Sequence, residues 1–137
     1  MSNKLEFYFS TEDAAFFSKT SVINNSTTNY IAEIFITTPI YSNDGTQIGY
    51  KSSNDLIQQI GTFQYLVRIN NTYFLPNNST INWSYSFINT LPNPYYPLGT
   101  IAKSTITSGT GTYVNKKGCV SLTPLESGRR NVVITFC

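Results

Sequence analysis

The chain has 137 residues and a formal net charge of +2, and its charged fraction of 12% is about half the usual share, with Asn, Ser and Thr filling the gap. A hydrophobic fraction of 40% and an aromatic fraction of 15% exclude a disordered chain, and the length fits a single domain over residues 1–137. No basic run is present, which excludes nucleic acid as the main partner, and the absence of His removes Ser-His-Asp and Cys-His machinery together with every His-based metal site.

The opening "MSNKLEFYFS" carries no apolar run of signal-peptide length, and no later segment approaches a membrane span. The expectation is therefore a cytoplasmic or particle-associated protein with no leader. In such a compartment Cys119 and Cys137 are reduced. Six Asn residues fall in N-x-[ST], a match that a chain rich in these residues produces by chance.

Strands rich in β-branched and aromatic residues are predicted at Leu5–Phe9, Ala15–Ile23, Tyr30–Tyr41 and Gln47–Ser53. The stretch "GTFQYLVRIN" then alternates, placing Phe63, Tyr65, Val67 and Ile69 on one face and Thr62, Gln64 and Arg68 on the other. In "STINWSYSFIN" the same device puts Ile81, Trp83, Tyr85 and Phe87 opposite Asn82, Ser84 and Ser86. Between these two, Pro76-Asn77-Asn78 predicts the turn of an antiparallel hairpin. Leu98–Thr107, Gly118–Leu122 and Asn131–Phe136 complete the set.

The separators "NNSTTN", "SNDGT", "LPNPYYP", "SGTG" and "ESGR" are turn chemistry, and no segment sustains a 3.6-residue stripe. Short strands at regular spacing predict an all-β fold. A single closed antiparallel barrel of about eight strands is favoured, because closure removes exposed edges. The interior of such a barrel is either filled by side chains or holds one small ligand.

In "TSGTGTYVNKKG" the glycines fit neither phosphate-binding pattern. The P-loop needs its lysine after the last glycine, whereas Lys116 and Lys117 precede Gly118. The dinucleotide pattern fails at Val114. If the "ESGR" hairpin turns on Ser127-Gly128 alone, Cys119 lies opposite Phe136 and the two thiols face apart; a three-residue loop would set Cys119 opposite Cys137 and permit a bridge.

Taken in order, "IYSNDGTQIGY" with Asp44, Gly45 and Gly49, the turn segment Leu75–Ile81, and Ile106–Tyr113 followed by Gly118 and Val120 resemble the allene oxide cyclase/dirigent barrel superfamily. The opening "KLEFYFSTED" is similar to the first dirigent strand. The resemblance runs over about two-thirds of the chain. It implies an eight-stranded, calycin-like barrel, usually trimeric, with a hydrophobic cavity and with acidic side chains that handle a reactive intermediate. In this reading the Gly109 and Gly111 region serves a turn or bulge between barrel strands. Where the dirigent strand carries His and Asp, this chain has Ser10 and Thr11, with Glu12 and Asp13 displaced. Lys117 keeps the basic residue that precedes a glycine in the family's late segment.

Catalytic candidates are thus Glu12, Asp13 and Lys117, together with Glu33, which alternates with Ile31, Phe35 and Thr37 and would have a raised pKa if buried. Phe63, Trp83, Tyr85 and Phe87 are the candidate ligand lining. No metal and no cofactor is expected. The favoured function is a non-catalytic structural or assembly module, such as a coat or virion component that self-associates, as low charge density favours. The alternatives are a barrel binding one small apolar ligand, and a dirigent-like or cyclase-like protein steering a reactive intermediate.

Overall fold

In a computed structural model the chain is described over residues 3–22 and 30–137, with side chains over 3–15 and 31–137. Nine strands form one antiparallel sheet: β1 (Lys4–Ser10), β2 (Ala15–Val22), β3 (Tyr30–Tyr41), β4 (Gln47–Gly61), β5 (Gln64–Leu75), β6 (Ser79–Asn89), β7 (Ala102–Thr110), β8 (Gly118–Pro124) and β9 (Arg129–Phe136). The hydrogen-bonded order is β1-β9-β8-β7-β6-β5-β4-β3-β2, and an additional β1–β3 pairing closes the ring. Eight strands make the closed barrel, and β2 continues from β1 along the same edge of β3. The predicted end of the second strand, Ile23, and the "NNSTTN" turn lie outside the described residues.

Closure depends on how β1 hands over to β2. A single 3₁₀ turn at Thr11–Asp13 separates them, after which β2 pairs with β3 from Ala15↔Thr37 to Val22↔Tyr30. Before the turn, β1 meets β3 at Tyr8↔Tyr41 and pairs with β9 along its whole length. Outside this seam the Tyr8 and Tyr41 rings stack at 5.5 Å, and the Arg129 guanidinium lies 3.7 Å from the centre of the Tyr8 ring. Asn131 Oδ1 fixes that guanidinium by accepting from Arg129 Nε at 2.7 Å.

Strand alternation sorts the residues. Phe7, Phe9, Ala32, Ile40, Ile57, Val67, Ile69, Ile81, Trp83, Val120, Leu122, Val132 and Ile134 point inward and are buried. Phe7 meets Tyr73 edge-on at 4.8 Å. Outside, amides and hydroxyls pair across strands: Thr72 Oγ1 donates to Asn82 Oδ1 at 2.6 Å, Asn82 Nδ2 to Ser108 Oγ at 2.9 Å, and Ser84 Oγ to Asn70 Oδ1 at 2.7 Å. These ladders explain the chain's Asn, Ser and Thr content: cross-strand polar pairs replace the charges of an ordinary solvated sheet face.

Three strands differ from expectation, and of these β5 starts at Gln64, past Phe63, and runs on to Leu75. β4 runs past Ser53 to Gly61, because its pairing with β5 continues through Asn54↔Asn70 and Ile57↔Val67 to Gly61↔Gln64. β7 begins at Ala102, after a loop that turns through Gly99 at φ +79°. Of the "GTG" glycines, Gly109 lies within β7 opposite Ile81, and Gly111, at φ +61°, opens a short 3₁₀ turn whose Thr112 N–H donates to Ser79 Oγ.

The β8–β9 connection is a three-residue loop, Glu126-Ser127-Gly128, placed one position earlier than the bridging alternative requires. Cys119 therefore lies opposite Thr135, Cys137 is diagonal to it on the same outer face, and both thiols are free. Among the described residues no helix is long and apolar enough to cross a membrane.

Gly128 closes this loop at φ +90°, and a Cβ there would stand 2.5 Å from Thr11 Oγ1. Gly128→Ala should lower stability by about 1–2 kcal/mol, because the left-handed backbone strains any side chain. A lower urea midpoint at unchanged m-value is the expected readout. An unchanged midpoint would show that the loop is not held in this conformation.

Candidate functional site inside the barrel

The period of two along β4 places Lys51, Ser53 and Asp55 on the inner face, ahead of Ile57. Register then fixes their neighbours. Lys51 lies between Thr38 and Tyr73, Ser53 between Ile36 and Asn71, and Asp55 between Ile34 and Ile69. From the opposite wall β9 contributes Arg130, paired with Phe9 of β1 and Pro124 of β8. Lys51, at 4% exposure, and Asp55, at 2%, are as enclosed as the aliphatic core around them.

The connection between β6 and β7 supplies the fourth component. Pro94, Tyr95 and Tyr96 of this proline-stiffened loop line the cavity. Tyr96 itself is buried, its ring 6.1 Å from Tyr85 and 6.0 Å from Phe87, and its hydroxyl accepts a hydrogen bond from Asn71 Nδ2 at 3.3 Å. Beneath the loop lies a cavity of about 160 Å³. Its walls are Phe9, Ile34, Ile36 and Ile69, with Ser10, Thr11, Ala14 and Thr38 on one side and Lys51, Asp55 and Arg130 supplying the charge.

Burial controls the protonation of this group. It pushes the Asp55 carboxyl up to about 6, against the pull of the Lys51 ammonium and the Ser53 hydroxyl. Ser53 Oγ and Asp55 Oδ1 nevertheless lack hydrogen-bond partners, so we read the hydroxyl's influence as acting from beyond bonding distance. Lys51 is brought down to about 8 by burial, with Asp55 opposing and Arg130 reinforcing the change. Burial also lowers the Arg130 guanidinium and raises the Tyr73 and Tyr96 phenols.

Arg130 uses one nitrogen, Nη1, to donate to the Leu125 carbonyl at 3.2 Å. The Lys51 ammonium lies 4.6 Å from the centre of the Phe9 ring, a cation–π contact. Further polar atoms line the barrel's waist. Asn71 Oδ1, the Tyr73 hydroxyl and Trp83 Nε1 are buried without a partner, and the register aligns Ser53, Asn71 and Trp83 across three adjacent strands. Each buried polar group left unpaired carries a desolvation cost that a hydrogen-bond partner would offset.

The residues singled out in the sequence lie mostly elsewhere. Glu33 is on the outer face, where its carboxylate accepts from Asn54 Nδ2 at 3.4 Å, because the inner positions of β3 are the even-numbered Ala32, Ile34, Ile36, Thr38 and Ile40. Phe63 is 72% exposed at φ +54° in the β4–β5 turn, so it lines nothing inside. Glu12 and Asp13 are exposed on the 3₁₀ turn; Ser10 and Thr11 beside them reach the cavity. Lys117 is exposed in an outer groove with Lys116, Cys119 and Cys137. Trp83, Tyr85 and Phe87 do point inward, and the latter two meet Tyr96.

Lys51, Asp55, Arg130 and Tyr96 are the site residues that sequence reasoning missed. Alternation held the signal for three of them. Carrying the inward phase of Ile57 back through Asp55 and Ser53 reaches Lys51, and carrying that of Val132 back one step reaches Arg130. The preference of charged residues for the surface argued against both steps.

An all-β closed antiparallel barrel with a charged internal cavity is the class of protein that these features define. The chain is similar to a solved pyocyanin demethylase, with a TM-score of 0.58 and 16% identity over 98% of this chain and 99% of that one. It also aligns with a pterocarpan synthase dirigent protein, with a TM-score of 0.49 and 15% identity over 97% of this chain and 84% of that one. No protein-family model matches the sequence, and no curated protein does. The first alignment shows a barrel fold shared along the whole chain.

Replacing Asp55 tests the electrostatics. A carboxyl whose folded pKa is raised keeps its proton longer in the native state, so its contribution is lost as pH climbs from 3.8 towards about 6. Across that window Asp55→Asn should gain roughly 2–3 kcal/mol relative to the parent. Urea titrations at pH 4 and pH 7 measure it, and parallel pH profiles would place Asp55 in water.

Proposed function

We propose that this barrel binds one small, largely apolar molecule in its interior, and that Asp55 and Lys51 exchange protons with polar groups on it. The observation that carries the reading is the cavity beside the buried Asp55 and Lys51. Its hydrocarbon walls offer apolar burial, and its few polar groups give orientation, which is the usual construction of a small-molecule site. Groups that titrate within about a unit of neutrality are suited to general acid and base work.

Pro94, Tyr95 and Tyr96 line the cavity from the β6–β7 connection. The pyocyanin demethylase that shares the fold acts on pyocyanin, which supports the view that such a barrel can carry small-molecule chemistry. A dirigent-like or cyclase-like role, in which an acid steers a reactive intermediate, would draw on Asp55 and not on Glu12, Asp13 or Glu33.

Self-association, as a coat or virion component or a trimer needs, is the second reading. It is favoured by Tyr50 and Phe74, direct cross-strand partners that are both exposed on the outer face. The readings are compatible, since each protomer of an oligomer could hold a ligand.

Toluene is a direct probe of the cavity. Saturable amide shifts on β3, β4 and β5 are expected in ¹⁵N spectra of the protein, and Ile36→Phe, which fills the chamber, should abolish them. A lack of shifts at millimolar toluene would contradict an accessible cavity.

A further inference from the structure

We infer that the molecule this cavity accepts is a small organic anion of single-ring size, its negative group held by Lys51 and Arg130 and its hydrocarbon body against Ile34, Ile36 and Ile69. The inference rests on the ligand-binding reading above and specifies its chemistry.

Size comes first. An engineered apolar cavity of about 150 Å³ takes up benzene. The chamber here, about 160 Å³, therefore suits one ring or a short chain. Branched side chains from β3 and β5, the strands on either side of β4, supply the hydrocarbon, since Ile34 and Ile69 flank Asp55.

Charge decides the rest. Among the described residues three ionised groups line the cavity, Lys51, Arg130 and Asp55, leaving one positive charge in excess. Thr38, Tyr95 and Tyr96 add neutral hydroxyls and no further anion. At the inner end of the cavity, where Lys51 and Asp55 are buried, such an excess attracts an anion, because buried charges are screened less than exposed ones.

The Lys51 ammonium is the more telling group. It is buried, it lines the cavity, and its described contact is the Phe9 ring, which engages the cation without accepting a conventional hydrogen bond. Among the described residues no hydrogen-bond acceptor engages its N–H donors, which leaves them available to a ligand in the cavity. An incoming carboxylate provides an acceptor with the complementary charge. A neutral ligand would leave the positive excess in place. A cation would increase it.

Benzoate and its uncharged analogue benzamide, titrated at pH 7 into the full chain by calorimetry or amide shifts, separate the possibilities. Benzoate should bind at least about tenfold more tightly than benzamide, the ratio expected of one charge-assisted hydrogen bond. Lys51→Met should bring the two affinities together. Asp55→Asn should tighten benzoate binding, a gain that misfolding cannot produce. Equal affinities in the parent protein would overturn the anion inference while leaving the ligand-binding reading intact. If toluene, benzamide and benzoate all fail to bind, both fall together.

Discussion

Closure of the sheet is the constraint on which the rest of the structure depends. Once β1 meets β3 at Tyr8↔Tyr41, no edge remains between those strands and every inward side chain faces seven other walls. An eight-stranded barrel is just wide enough to be filled by its own residues or to hold one small guest. This barrel is filled over part of its length and leaves a cavity in the rest. Phe7, Tyr73 and Trp83 fill the waist, and a chamber persists under the Tyr95-Tyr96 loop.

The contents of that chamber oppose stability. Burying an ammonium and a carboxylate without close partners is costly, and filling such positions with apolar residues often stabilises a protein. Lys51 and Asp55 sit on a strand that could carry Val or Ile at either position without disturbing the pairing. A barrel under selection for packing alone has no use for them. The same two groups, drawn towards neutrality by burial, suit a site that recognises polar chemistry within an apolar enclosure.

Much of the barrel was legible because strand alternation and turn chemistry are local. "STINWSYSFIN" and the "SNDGT" turn need no tertiary information, and β6 falls where the pattern puts it, while its hairpin partner β5 starts later, at Gln64, and runs on to Leu75. The site was less legible because it breaks the rule by which strands are recognised. "KSSNDL" looks like the end of a strand, since charged and amide residues usually mark turns. Its inward phase becomes evident only when β5 is seen to need a partner of equal length. Glu33 failed for the complementary reason: an apolar-looking neighbourhood on an outward face is indistinguishable, in one sequence, from an inner wall.

The central question is whether Asp55 is enclosed beside Lys51, and the carboxyl carbon of Asp55 reports it directly. A ¹³C titration of the folded protein, with Asp55→Asn to assign the resonance, should give a midpoint of about 6 that rises further when Lys51 is replaced by Met. A midpoint near the ordinary 3.8, indifferent to Lys51, would contradict a buried charged site and the function built on it.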